Sequence, residues 1–319
     1  MTASRRLTCV ALFLAACLPR PASAQPAAAP PPEAVSLQTK DGVQLKLTYY
    51  PSAWRGTAKA KQVTPVVLLH DYKDTRASLA RLAQRLQAPA EDELERPSFA
   101  VVTVDLRAHG ESTKAVLPSG EPIELDAARL DKQGLLAMAS FDMEVVRGFL
   151  VAKNDAGELN LNKLSLLGAG MGANVATNWA LQDWAAPALA VGKQGQDVKA
   201  LVLISPTWSY KGLSLQAPMR FRPLMQNVAW LLIYGDEDSK ARAEGRRVAK
   251  QLERYHPERE EGAAARPRGL EVVAWPSKLQ GDTLLTRIGA PIEDQVVQFL
   301  VEHVANQEHP WLSRLDRLP

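Results

Sequence analysis

Two kinds of hydrophobic pattern alternate along this chain. Val43-Gln44-Leu45-Lys46-Leu47-Thr48-Tyr49 switches between apolar and polar residues after the turn Lys40-Asp41-Gly42. That period of two predicts an antiparallel hairpin with one wet face. Further on, the apolar runs become continuous, at residues 66–69, 100–104, 164–167, 200–204 and 228–234. Such runs suit strands covered on both faces. Between them, residues 76–86, 135–151, 174–184, 241–255 and 293–304 carry apolar side chains at helical spacing. Strands alternating with helices predict an α/β fold: a mostly parallel sheet with flanking helices, and a short lid over 206–227. In such a sheet, chemistry gathers at the carboxyl ends of the strands.

The first residues follow a different pattern. Arg5 and Arg6 precede an apolar run from Leu7 to Leu18, and Ala22-Ser23-Ala24 supplies small residues suited to cleavage. This predicts a signal peptide over 1–24, because a run of about a dozen residues is shorter than the ~20 needed to span a bilayer. Leu14-Ala15-Ala16-Cys17 also resembles a lipobox, so the alternative is lipidation at Cys17. Either route exports the chain, to the periplasm or the exterior, and only lipidation would tie it to a membrane. Residues 25–34, with Pro30, Pro31 and Pro32 in a row, read as a linker. The domain is then expected over 35–306, with a C-terminal tail over 307–319.

Composition changes this picture at two points. The formal charge is +3, but three arginines and no acids lie in the first 24 residues, so the remainder holds 35 basic and 35 acidic residues. No electrostatic footprint for nucleic acid remains. The only cysteines, Cys9 and Cys17, lie in the export segment. A chain cut after Ala24 therefore has neither disulfides nor thiolate metal ligands. No His-based metal motif is present, and no metal or other cofactor is expected.

Candidate chemistry centres on Leu164 to Asn174, where an apolar strand meets Gly168-Ala169-Gly170-Met171-Gly172 and then a helix. This has the shape of a nucleophile elbow, G-x-S-x-G, with glycine at the nucleophile position. Four further segments follow predicted strands in matching order. They are Leu68-Leu69-His70-Asp71-Tyr72, Asp105-Leu106-Arg107-Ala108-His109-Gly110-Glu111-Ser112, Tyr234-Gly235-Asp236-Glu237-Asp238 and Leu279-Gln280-Gly281. Together they resemble the α/β-hydrolase superfamily, nearer its dienelactone-hydrolase-like and esterase-like members, from about Val43 to Val304. The resemblance implies a triad at Gly170, Asp238 and Gln280. Of the three only Asp238 retains the usual chemistry. Asp71 also replaces a glycine of the oxyanion loop, and Ala108 a glycine in the next segment.

Glycine cannot attack a carbonyl, and an amide does not take a proton near neutral pH. The expectation is therefore a non-enzyme of the serine-hydrolase type, binding a small molecule or a protein at a mouth lined by His70, Tyr72, Met171, Asp238 and Gln280. The backbone N–H groups near Tyr72 and Met171 could still form an oxyanion hole. Asp238 also has the plainer reading of a helix cap. His109 reads as a loop brace, and His70 as a structural hydrogen bonder. One alternative is an active serine esterase or dienelactone-type hydrolase with a displaced apparatus, Ser205 with His70. Another is a structural envelope protein.

Overall fold

The computed structural model describes residues 29–89, 93, 95–187, 189, 192–257 and 269–314. The predicted signal peptide, both cysteines, the first part of the linker and the last five residues lie outside the described residues. Strands β1 (Glu33–Gln38) and β2 (Gln44–Tyr50) form the expected hairpin, joined at Gln38 and Gln44. Glu33 and Ala34, placed in the linker by sequence, belong to β1 and pair with Tyr49 and Thr48. Then come β3 (Pro65–Leu69), α1 (Ala80–Gln87), β4 (Ala100–Asp105) and a small outer hairpin of β5 (Lys114–Val116) and β6 (Pro122–Glu124).

Helix α2 (Lys132–Ala137) runs through a widened turn at Met138–Asp142 into α3 (Met143–Asp155). The sequence predicts one uninterrupted helix here. The widened turn ends on Asp142, a fully buried carboxylate that takes two hydrogen bonds from the Arg107 guanidinium at 2.7 and 3.0 Å. Periodicity records apolar spacing and cannot foretell such a polar anchor.

The second half continues with β7 (Leu164–Ala169), α4 (Met171–Ala185), β8 (Val198–Ile204) and the lid, which holds the hairpin β9 (Ser209–Tyr210) and β10 (Leu213–Ser214) and then α5 (Arg222–Asn227). It closes with β11 (Ala229–Gly235), α6 (Ser239–Glu253), β12 (Leu270–Trp275), α7 (Gly281–Ile288) and α8 (Ala290–Leu300). The main sheet has eight strands in the order β1-β2-β4-β3-β7-β8-β11-β12. Pairs β1/β2 and β2/β4 are antiparallel and all other neighbours are parallel. The mostly parallel α/β sheet with an N-terminal antiparallel hairpin is therefore present.

The central strands β3, β4, β7, β8 and β11 are covered on both faces, which explains the continuous apolar runs. Val67, Leu69, Leu166, Leu203 and Leu232 share one core with Val146, Leu150, Trp179 and Val248. Val66, Leu68, Leu167, Val202 and Ile233 share the other with Leu82, Leu86, Leu285, Ile292 and Phe299. Helices α3, α4 and α6 therefore cover one face, and α1, α7 and α8 the other. The C-terminal segment is also packed: the Arg314 guanidinium is buried 3.0 Å from the Asp197 carboxylate. Because β3, β4, β7, β8, β11 and β12 run parallel, the loops after them meet at one mouth.

Candidate functional site

Strand β7 ends at Ala169, and the chain turns at Gly170, with φ +47° and ψ −109°, into the first turn of α4. Glycine adopts that left-handed backbone without the penalty a Cβ brings. This is the geometry of an elbow. Its centre is not empty. The Asp71 carboxylate, from the loop after β3, reaches across and fills it. Asp71 Oδ1 accepts hydrogen bonds from the Tyr72 N–H at 2.7 Å and the Met171 N–H at 2.8 Å. These are the two donors the sequence assigns to an oxyanion hole.

The packing shows why positions 170 and 281 are glycine together. A Cβ on Gly170 would fall 2.0 to 2.2 Å from the Asp71 carboxylate atoms, and a Cβ on Gly281 would fall 2.2 Å from Asp71 Oδ2. The carboxylate lies between two backbones that have no side chain to displace it. Only glycine at both positions leaves Asp71 room to reach both N–H groups.

A second acid stands behind the first. Asp282, in the first turn of α7, accepts from the Asp71 N–H at 3.1 Å through Oδ2, which also lies 2.8 Å from Ser78 Oγ. Its Oδ1 has no partner, and the residue is 2% exposed. Burial pushes the Asp282 carboxyl up to about 7, helped by the charges of Asp74 and Asp71 and opposed by the bonds from Ser78 and the Asp71 N–H.

The opposite side of the mouth is built around an uncharged pair, Gln280 and Ser205. Gln280 is clamped to the end of β11: its Nε2 donates to Gly235 O at 3.0 Å, and its Oε1 accepts from the Gly235 N–H at 3.3 Å. The Ser205 hydroxyl, at the end of β8, donates to the same Oε1 at 2.7 Å and accepts from the Gly281 N–H at 2.9 Å. Ser205 holds a left-handed φ of +51°. Its proton already points to an amide oxygen that cannot ionise in the neutral range.

Several expected roles change. Asp238 Oδ1 accepts from the Ala241 N–H at 2.8 Å and caps α6, so the plainer reading of this acid describes its contact. His70 is fully buried; its Nδ1–H donates to Asp71 O at 2.6 Å and its Nε2 accepts from the Leu106 N–H at 3.1 Å. Burial pushes the imidazole down to about 4. Both nitrogens are taken by backbone, so His70 presents no group to the mouth and is not joined to Ser205. Met171 contributes its N–H, while its side chain is buried in the core. Tyr72 does line the region: its ring packs 6.0 Å from Tyr210 and its hydroxyl donates to Ala127 O at 3.2 Å. The Lys211 and Lys73 ammonium groups lie 4.2 and 5.5 Å from that ring.

Sequence reasoning missed Asp282 altogether and took Asp71 for a lost glycine. The signal for Asp71 was present: an acid gained in one loop while a side chain was absent from each of two others. Among the described residues, no group of three His, Cys, Asp or Glu side chains is placed to hold a metal ion.

No protein-family model matches the sequence, and neither does any curated protein sequence. Solved structures do match. An esterase from Pyrobaculum calidifontis is similar over 85% of this chain and 86% of its own, with a TM-score of 0.55 and 16% identity. An esterase from Pyrococcus furiosus is similar over 85% and 89%, with a TM-score of 0.50 and 15% identity. An esterase from Exiguobacterium antarcticum is similar over 84% and 99%, with a TM-score of 0.50 and 14% identity. The chain has the α/β-hydrolase fold. The expectation of a non-enzyme is corrected here: these three proteins, which share the fold, are named as esterases. The Asp71 carboxylate, which the expectation did not place there, occupies the centre of the elbow.

Proposed function

We propose that this chain is an ester hydrolase on the α/β-hydrolase fold, in which the Asp71 carboxylate does the work usually given to a serine–histidine pair. The observation that supports this is the seat of that carboxylate, in the space a side chain at 170 would enter and on both oxyanion donors. The Met171 donor opens the 15-residue helix α4, where the backbone dipoles favour negative charge. An ester carbonyl oxygen competes with Asp71 Oδ1 for the same two N–H groups. The displaced carboxylate then takes a proton from water. The water oxygen bonds to the acyl carbon, the bond from that carbon to the alkoxy oxygen breaks, and the alkoxide leaves with the proton. A positioned base contributes ~10²–10⁴ and an oxyanion donor ~10²–10³.

The test is hydrolysis of p-nitrophenyl butyrate by the wild type, Asp71→Asn and Ser205→Ala. Asp71→Asn is expected to lower kcat/KM at least ~100-fold, within the range of a lost base. Ser205→Ala is expected to cost less than ~5-fold, because Ser205 lacks an activating partner. The reverse ranking would move the role to Ser205, and absence of wild-type turnover on a panel of acyl esters would end the proposal. We also propose that the activity is exported, on the pattern of residues 1–24; the mass of the mature N-terminus tests this and separates cleavage after Ala24 from lipidation at Cys17.

A further inference from the structure

The lid hairpin β9–β10 is fastened to the helix that opens at the elbow. Asn174, fully buried in the first turn of α4, donates through Nδ2 to Thr207 O and Leu213 O, both at 3.0 Å. Its Oδ1 accepts from the Thr207 hydroxyl at 3.2 Å. One turn further on, Asn178 Nδ2 donates to Ser214 O at 3.3 Å. On the far side, the Trp208 N–H donates to Glu244 of α6 at 2.7 Å. These bonds hold the hairpin on two helices, and Tyr210, which pairs with Leu213, takes its place from them. Its ring stands 6.0 Å from that of Tyr72, the residue whose N–H donates to Asp71 Oδ1.

The Tyr210 hydroxyl is uncommitted. It has no hydrogen-bond partner among the described residues, and, unlike the orphaned atoms enclosed in the domain, it stays open to solvent on a half-buried side chain. Three hydroxyls near it are spent: Tyr72 on Ala127 O, Ser205 on Gln280 Oε1 and Thr207 on Asn174 Oδ1. Burial, helped by the negative charge of Asp71, pushes the Tyr210 phenol up, so it keeps its proton at neutral pH and lies within reach of the elbow's field.

An ester seated on the elbow brings two oxygens. The carbonyl oxygen takes the Tyr72 and Met171 N–H groups. The alkoxy oxygen gains negative charge as its bond to the acyl carbon breaks, and neither of those groups serves it. We propose that the Tyr210 hydroxyl donates a hydrogen bond to this alkoxy oxygen, which makes Tyr210 a further catalytic residue and suits the site to esters of unactivated alkyl alcohols. The inference rests on the ester-hydrolase reading above. Tyr210 keeps its own proton throughout: the alkoxide leaves with the proton that Asp71 took from water, and the hydrogen bond stabilises the charge until that proton arrives.

Two measurements decide it. The first compares leaving groups. Tyr210→Phe keeps the ring beside Tyr72 and removes a hydroxyl with no protein partner to lose. It is expected to lower kcat/KM for ethyl butyrate ~10-fold or more, the scale of a hydrogen bond to a charged group, and for p-nitrophenyl butyrate less than ~2-fold, because p-nitrophenolate leaves without help. Equal effects on both esters, or none on ethyl butyrate, overturn the role of Tyr210 and leave the hydrolase reading in place. The second needs no turnover. The ¹³C resonance of Tyr210 Cζ, assigned by its loss in Tyr210→Phe, is followed as ethyl butylphosphonate, a stable tetrahedral anion, is added to the wild type. A saturating shift is expected, with a much smaller one for butyl(propyl)phosphinate, which has carbon in place of the alkoxy oxygen. No shift with the phosphonate, or the same shift with both, overturns the proposal. If every ester is inert but the phosphonate alone moves the resonance, the hydrolase reading fails and Tyr210 stands as a donor to an alkoxy oxygen.

Discussion

On the β3–β7 side of the mouth a carboxylate rests on two backbone N–H groups; on the β8–β11–β12 side a serine hydroxyl rests on a primary amide. The first side carries charge and a donor pair that another oxygen can claim. The second is closed on itself, since Ser205, Gly235, Gln280 and Gly281 satisfy one another. A hydrogen bond to a charged group is worth ~1.5–3 kcal/mol and a neutral one ~0.5–1.5. The charged side is therefore where exchange with a ligand has the larger electrostatic consequence, and the neutral side acts as a fixed wall.

The sharpest way to break this contrast is to return a side chain to the elbow. Gly170→Ala puts a Cβ about 2 Å from the Asp71 carboxylate on a backbone with positive φ. The expected loss is ~3 kcal/mol, combining overpacking with the left-handed penalty. In urea melts, Gly170→Ala/Asp71→Gly should recover ~1–2 kcal/mol of that loss, because the two sites touch. Additive losses would mean that the carboxylate does not hold the seat described.

The next test uses pH. Asp282 has a folded-state value near 7, above the ordinary 3.8. A raised acid stabilises fully below the unfolded value, and that contribution is lost as pH climbs through the folded value. Asp282→Asn cannot ionise. Its stability relative to wild type should therefore rise between pH 4 and 7, by at most ~1.4 kcal/mol per unit, and level off above. His70 contributes in the opposite sense in both proteins, losing stability as pH falls from 6.5 through about 4. It cancels in the difference, so a flat difference curve would show that Asp282 is not held neutral.

The strands of this fold were legible because burial on both faces leaves an unbroken apolar run. The elbow was legible because close strand–helix packing demands small residues at fixed spacing. Gly170 and Gln280 carry no hydroxyl and no imidazole. What replaced them was not legible. Asp71 meets Met171 one hundred residues later, and its N–H meets Asp282 another 111 beyond that. Local pattern carries no record of which distant backbone a carboxylate reaches. The same holds for Asp142 and Arg107, whose contact accompanies the widened turn before α3.

The smaller effects belong to the neutral side. Ser205→Ala removes one donor to Gln280 and one acceptor for the Gly281 N–H, at an expected ~1–2 kcal/mol of stability. Asp238→Ala should cost less still, ~1 kcal/mol, because it removes one cap bond to the Ala241 N–H. The two differ in what should follow at the mouth. Ser205 helps to place Gly281, whose missing side chain leaves room for Asp71, so Ser205→Ala should also weaken esterase turnover slightly. Asp238 spends its contact on α6, and its loss should shift the urea midpoint with kcat/KM unchanged. If Asp238→Ala instead lowered kcat/KM by tenfold at full folding, the neutral wall would hold a working acid and the contrast between the two sides would be misdrawn.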